Sequence, residues 1–333
     1  MKRFGLEVEF VGTKSRVVTE LRNAGIEVLD MSSTHAGYSN TAWCVKRDGS
    51  VQRGGELVSP PLDFDNPDDR QQVSTAMIAM QRAGAKPDPS AGIHVHIEAK
   101  HANGAPMTAR ELAAVVRFTY KFEDAIYRIA SSGWQSLRSG ARSYAKPIPE
   151  ATAQIIMKVH TMDELQNAWS GMDLQGRGTY YGARRRRGGR RPGPVTHAHQ
   201  SRYTATNLQA FWSKGTVEFR YFNSSVNPVR VQTYIAFCMA IMDDARNGFS
   251  RSVKKSYRIG AMKYGEVTEE AVLLRLQQVL TTNSKDTKRC MSKEDWKNFR
   301  NILWKGSVPQ EDVFRGRCGR VGPYTTSYET EVI

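Results

Sequence analysis

Three short segments of this chain alternate apolar and polar residues with period two, and their polar faces are built from ionisable groups. Side chains in a strand alternate sides, so residues i and i+2 share a face. In residues 4–11, Phe4, Leu6, Val8 and Phe10 form an apolar face, and Glu7 and Glu9 lie opposite, flanked by Gly5. In residues 93–98, Ile93, Val95 and Ile97 oppose His94, His96 and Glu98. In residues 217–222, Val217, Phe219 and Tyr221 oppose Glu218 and Arg220. A fourth segment, residues 54–61, sets Glu56 alone in an apolar strand that ends at Pro60 and Pro61. Each strand taken singly reads as half-exposed, with a solvated outer face. Solvated faces, however, mix Lys, Thr, Ser and Gln, and these do not. If the strands lie side by side, four carboxylates converge, which is unfavourable by kcal/mol amounts without a cation. Metal ions or Arg220 would supply one. Carboxylates with one or two imidazoles suit Mg²⁺ or Mn²⁺ better than zinc. Such sites serve phosphoryl transfer, where divalent ions bridge phosphate oxygens and a neighbouring arginine binds the phosphate in bidentate fashion.

Helix signals interrupt the strands irregularly. Residues 14–24 carry Val17, Val18 and Leu21 on one side, with Gly25 as the stop. Asn66 and Pro67 begin a helix reaching about Ala83, since asparagine caps and proline fits the first helical position. Thr108 and Glu111 form a capping box that opens a long helix with Leu112, Val115, Phe122 and Ile126 on its buried stripe. A short helix is expected over residues 163–169, and Asn227-Pro228 starts another that ends near Asn247-Gly248. Residues 26–30, 41–46 and 203–210 read as strands, and residues 47–50 as a hairpin turn containing Asp48-Gly49. Residues 132–150 and 175–196 read as loops, and the C-terminal segment as two helices, residues 268–280 and 292–303. The mixture predicts an α+β fold with an antiparallel sheet.

The net charge of +15 is local. Residues 1–174 are neutral, whereas residues 175–217 hold eight arginines, one lysine and no acid. A nucleic-acid partner is possible on charge alone, but no recognised nucleic-acid module accompanies the cluster, so it is not favoured. No apolar run approaches a membrane span. Residues 1–3 lead directly into the first strand without a signal core, and Cys44, Cys238, Cys290 and Cys318 are scattered without a CxxC pair, so a reducing cytoplasm is expected. No P-loop motif occurs.

Six motifs, in order, carry a resemblance: Gly5-Leu6-Glu7-Val8-Glu9-Phe10, Asp48-Gly49-Ser50, Gly55-Glu56-Leu57-Val58-Ser59-Pro60, Gly92-Ile93-His94-Val95-His96, Arg202-Tyr203 with Asn207, and Gly215 to Arg220. In this set the chain resembles the amidoligases, carboxylate–amine ligases of the glutamine synthetase and glutamate–cysteine ligase superfamily. The resemblance spans roughly residues 3–250. It implies a glutamine synthetase-like catalytic domain, a curved antiparallel sheet with flanking helices whose concave face holds ATP and Mg²⁺ (or Mn²⁺). Residues 251–333 would be a helical extension of unassigned role.

The resemblance assigns Glu7, Glu9, Glu56, His94, His96 and Glu218 as metal ligands. Arg220 becomes a phosphate contact and, with Glu56, a catalytic residue. Arg202 and Asn207 become nucleotide contacts, and Arg184 and Arg187 in the basic loop are candidates to fold over ATP phosphates or an anionic substrate. Asp48 belongs either to the site or only to a hairpin. The implied substrates are a carboxylate and an amine, as small molecules, peptides or protein side chains. Two other readings stay open at this point: a metal-dependent hydrolase or nuclease using the same Glu/His face, and a basic nucleic-acid-binding protein.

Overall fold

The apolar face of Phe4, Leu6, Val8 and Phe10 settles where the first strand must lie, because all four side chains are buried. In the computed structural model this strand, β1 (Arg3–Val11), is the middle of an open eight-stranded sheet. The structure describes residues 2–33, 37–49, 51, 53–88, 90–130, 145–172, 201–247 and 297. The sheet is completed by β2 (Val28–Met31), β3 (Trp43–Lys46), β4 (Gly54–Val58), β5 (Leu62–Asp63), β6 (Gly92–Glu98), β7 (Thr206–Asn207) and β8 (Thr216–Asn223). Its order is β2-β3-β4-β1-β6-β8-β7, with β5 also pairing to β1. Seven α-helices are present among the described residues: α1 (Lys14–Asn23), α2 (Pro67–Arg82), α3 (Ala109–Ala130), α4 (Glu150–Ile156), α5 (Met162–Ser170), α6 (Gln209–Lys214) and α7 (Pro228–Asn247).

The expected helix starts are built as chemistry requires. Asn66 accepts a hydrogen bond from the Asp68 amide at 3.0 Å, and Pro67 opens α2. The Glu111 carboxylate accepts from the Thr108 amide at 2.7 Å, while the Thr108 hydroxyl accepts from the Glu111 amide at 3.3 Å. A second capping box, Thr161 with Glu164, starts α5.

Helices cover the apolar side of the sheet. α1 packs on α2, α2 on α7, α3 on α7 and β8, and α7 on β6. Trp43 is buried here, and its indole donates to Gln72 of α2 at 2.7 Å. Phe222 stacks on Tyr234 of α7 with centroids 4.1 Å apart. Each such large side chain taken from water contributes roughly 1.5–3 kcal/mol. A register slip of one residue in β1 would drive Glu7 and Glu9 into this apolar layer, so the core fixes the position of the acids.

Two expectations require correction. The sheet is mixed, because β2 pairs parallel to β3, from Val28 opposite Trp43 to Met31 opposite Lys46. Eleven residues separate the two strands, too many for the tight hairpin that would have made the pair antiparallel. All the other strand pairs are antiparallel. Residues 203–210 are not one strand either. A 3-10 turn (Ser201–Tyr203) is followed by the two-residue β7, and α6 begins at Gln209. The Asn207 side-chain oxygen accepts the Gln209 amide at 2.8 Å and so diverts the backbone into the helix. The short helix α4 has no counterpart in the sequence reading. The expected C-terminal helices lie outside the described residues.

Candidate functional site

Strand register brings the ionisable residues into three cross-strand rows on the face away from the helices. In the first, Lys46 lies opposite Glu56 and Glu56 opposite Glu9. In the second, Val58 lies opposite Glu7 and Glu7 opposite His94. In the third, Gly5 lies opposite His96, His96 opposite Glu218, and Glu218 opposite Asn207. A β-bulge interrupts the β6–β8 ladder between Ile93/Phe222 and Val95/Phe219, so Arg220 and Tyr221 together oppose His94. The bulge keeps Phe219 and Phe222 buried in the core while the Arg220 guanidinium donates to the Glu218 carboxylate.

The side chains interlock. His94 Nδ1 lies 3.1 Å from Glu7 Oε2, and His94 Nε2 lies 3.5 Å from Glu9 Oε1. His96 Nε2 lies 3.3 Å from Glu7 Oε1, and both imidazoles approach Glu218 Oε1 to 3.7 Å. Backbone and neutral groups hold the outer oxygens. Glu9 accepts the Gly92 amide at 2.6 Å, Glu218 Oε2 accepts Asn207 Nδ2 at 2.6 Å, and His96 Nδ1 meets the Thr216 hydroxyl at 3.0 Å. Two lysines join the cluster: Lys46 at 2.9 Å from Glu56 and Lys214 at 3.5 Å from Glu7.

This crowding divides the carboxylates electrostatically. Burial alone would raise Glu218, but Arg220 and then His96 hold it down to about 2, even against Glu7 nearby. Burial would raise Glu7, but it is likewise held well below the ordinary carboxylate range: the close approach of His96 and His94, with Lys214, overcomes that burial. Glu56 goes the other way. Burial, then the Glu7 charge, push it well above the usual range, and Lys46 offsets this only in part.

Three groups of side chains could each hold a metal ion, with ligand atoms within 4.8 Å of one another: Glu7, Glu56 and His94; Glu7, His96 and Glu218; and Glu9, Asp48 and Glu56. Glu7 belongs to two of these groups and Glu56 to two, so the three form one continuous array. The donor set fits hard divalent cations. The Nε2 atoms of His94 and His96 are buried and make no hydrogen bond among the described residues, although each is aimed at carboxylate oxygens. A buried nitrogen left so costs about 1–3 kcal/mol, which a bound cation would recover.

All six expected metal-ligating residues therefore meet in one place, as does Arg220. Asp48, which the sequence left between site and hairpin, is at the site. Asn207 is buried and engaged with Glu218. Arg202 is exposed, its guanidinium 4.9 Å from the Tyr203 ring. Arg184 and Arg187 lie outside the described residues. Sequence reasoning missed Lys46 and Lys214. Lys46 reaches Glu56 through the β3–β4 register, and Lys214 stands just before Gly215, whose left-handed φ of 71° turns α6 into β8.

Fold and site together define an α+β protein with an acidic, imidazole-bearing sheet face whose side chains could hold metal ions. The family model described as "Putative amidoligase enzyme" matches residues 1–242, and the chain belongs to that family, whose name denotes a ligase. No curated protein matches the chain. Among the described residues, no helix is long and apolar enough to cross a membrane.

Proposed function

We propose that this chain is an ATP-dependent, ADP-forming carboxylate–amine ligase that makes an amide bond through an acyl phosphate. The observation that carries the reading is the continuous array in which Glu7 and Glu56 are each shared between candidate metal groups, in a chain of the amidoligase family. Glu7, Glu9, Glu56, His94, His96 and Glu218, with Asp48 added, would hold Mg²⁺ or Mn²⁺. Bound ions would supply charge neutralisation at the phosphate oxygens. Arg220, already charged and turned into the site by the bulge, binds the transferring phosphoryl group. Lys214, at the rim beside Glu7, offsets the negative charge of an incoming carboxylate.

In the first step an oxygen of the substrate carboxylate attacks the γ-phosphorus of ATP, the bond to the β-phosphate oxygen breaks, and ADP leaves. In the second, the amine attacks the acyl carbon, phosphate departs, and the nitrogen loses a proton to leave the amide. Phosphorylation replaces a poor leaving group with a good one, and no side-chain nucleophile is needed. Asn207 holds Glu218 through its side-chain amide and stays a candidate nucleotide contact. Arg184, Arg187 and Arg202 stay candidates for the ATP phosphates. Residues 1–250 would form the catalytic domain and residues 251–333 an extension, in a protein working in the cytoplasm.

The test is an ADP-release screen with Mg²⁺ and ATP over pooled carboxylates and pooled amines. ADP is expected only, or much faster, when both pools are present. Cleavage of a substrate without ATP would instead favour a hydrolase.

A further inference from the structure

Gly5 occupies the middle of β1, itself the middle strand of the sheet, and a glycine there costs roughly 0.5–1 kcal/mol relative to alanine. Nothing in the fold requires it. Gly5 is not among the residues with positive φ, and a Cβ at that position would meet only the His96 Cβ, at an ordinary 3.6 Å. Gly54 and Gly55 differ: a Cβ would stand 1.8 Å from the Phe10 carbonyl oxygen at the first and 2.6 Å from the Lys46 carbonyl oxygen at the second. Those two glycines serve packing, and Gly5 does not. Strand glycines often mark a bulge, a close backbone contact or the close approach of a ligand, and at Gly5 there is neither a register shift nor a close backbone atom.

A cleft of about 350 Å³ lies against this bare backbone. His96 lines it directly opposite Gly5, Glu7 with the Lys214 ammonium lies toward one end, and Arg3 and Glu98 lie toward the other. Arg3, Gly5 and Glu7 are alternate residues of one strand and share a face, so at ~3.3 Å per residue Arg3 stands about 13 Å from Glu7 along the backbone. The volume is at the small end of the roughly 300–1,000 Å³ usual for small-molecule sites. The ends of the cleft are polar and charged, which suits a short ionic compound better than a purine.

We infer that the cleft over Gly5 receives the carboxylate substrate: a small acid with its reacting carboxylate at the Glu7–Lys214 end and a second charged group at the Arg3–Glu98 end. This rests on the ligase reading for the word "reacting", whereas occupancy of the cleft can be measured without turnover.

The experiment compares wild type, Gly5→Ala and Gly5→Val in the full-length protein. Melting temperature and Mn²⁺ affinity are measured first. Ligand-induced melting shifts then follow, with Mn²⁺ and a non-hydrolysable ATP analogue present, over the amino acids, short dicarboxylic acids and dipeptides. Gly5→Ala is expected to melt no lower than wild type and to bind Mn²⁺ unchanged. It should also bind the acid that shifts wild type roughly tenfold more weakly or worse, the usual effect of a misplaced methyl group, with Gly5→Val weaker still. If no acid shifts the wild type, or the variants bind as well as it does, the inference is overturned. Failure of the ligase reading looks different: acids bind and Gly5→Ala weakens them, but ADP never accompanies an amide product.

Discussion

Removing Arg220 should destabilise the metal-free protein far more than the metal-loaded one. The Arg220 side chain is only 16% exposed, and it donates to a Glu218 side chain that is 6% exposed. Arg220 is also the largest influence lowering the Glu218 carboxyl from 4.5 to about 2. At ~1.36 kcal/mol per pH unit, that gap corresponds to at most about 3 kcal/mol of folding stability. The sign follows from the depressed value. The stabilisation is complete above pH 4.5, where both folded and unfolded forms are ionised, and it is lost as the pH falls toward 2. Breaking a buried pair by deleting one partner costs about 3–5 kcal/mol, in agreement. For a domain of this size Arg220→Ala should therefore lower Tm at neutral pH by roughly 6–20 °C without metal, at ~2–4 °C per kcal/mol. Saturating Mn²⁺ supplies the missing positive charge beside Glu218, so most of that loss should disappear. The assay is a melting curve of wild type and Arg220→Ala, with and without Mn²⁺, across pH 3–8. Equal losses with and without Mn²⁺ would refute the reasoning, because Glu218 would then not face the metal position. A variant as stable as wild type without metal would refute the buried-pair account itself.

Glu56 is pushed up by burial and by Glu7, so in the metal-free protein it holds its proton to higher pH than an ordinary carboxyl. Metal binding should expel that proton; Mn²⁺ titrations by calorimetry in buffers of different ionisation heat should show proton release that Glu56→Gln abolishes, and affinity should rise with pH through the raised titration. Lys214 is 44% exposed, so Lys214→Ala should change stability by less than about 1 kcal/mol while lowering turnover, seen as a fall in ADP release at unchanged Tm. Asn207→Ala frees the Glu218 oxygen that Asn207 holds at 2.6 Å; Mn²⁺ affinity should weaken roughly 10- to 100-fold, as for other groups that orient metal ligands. Gly54→Ala would place a methyl group 1.8 Å from the Phe10 carbonyl oxygen, so expression and melting should reveal a loss of several kcal/mol, about 3 or more.

The acids and imidazoles of the site were legible because the buried face of each strand is so regular. Phe4, Leu6, Val8 and Phe10 leave Glu7 and Glu9 only one side to occupy, and Ile93, Val95 and Ile97 do the same for His94 and His96. Asn66-Pro67 and Thr108 with Glu111 declared their helices through capping chemistry that acts over three or four residues. Partners across strands were less visible. Nothing local to Lys46 says that it will face Glu56, since that contact depends on the β3–β4 register. The parallel pairing of β2 with β3 is also invisible, because alternation within a four-residue strand carries no information about its direction. Likewise the bulge opposite His94 leaves no mark in the alternation of β8 until Phe222 follows Tyr221 into the core. The six-residue α6 was hidden because Ala205, Leu208 and Ala210 are all buried in a stretch too short to display a helical period.

The most direct measurement follows one oxygen atom. With the acid and amine identified by the ADP screen, the acid is supplied with its carboxylate labelled in ¹⁸O and the released phosphate is analysed by mass spectrometry. If the carboxylate is phosphorylated before the amine attacks, each phosphate formed carries one labelled oxygen and each ADP is matched by one amide. Unlabelled phosphate, or ADP formed without amide, would contradict an acyl-phosphate ligase built on the Glu7–Glu56 array.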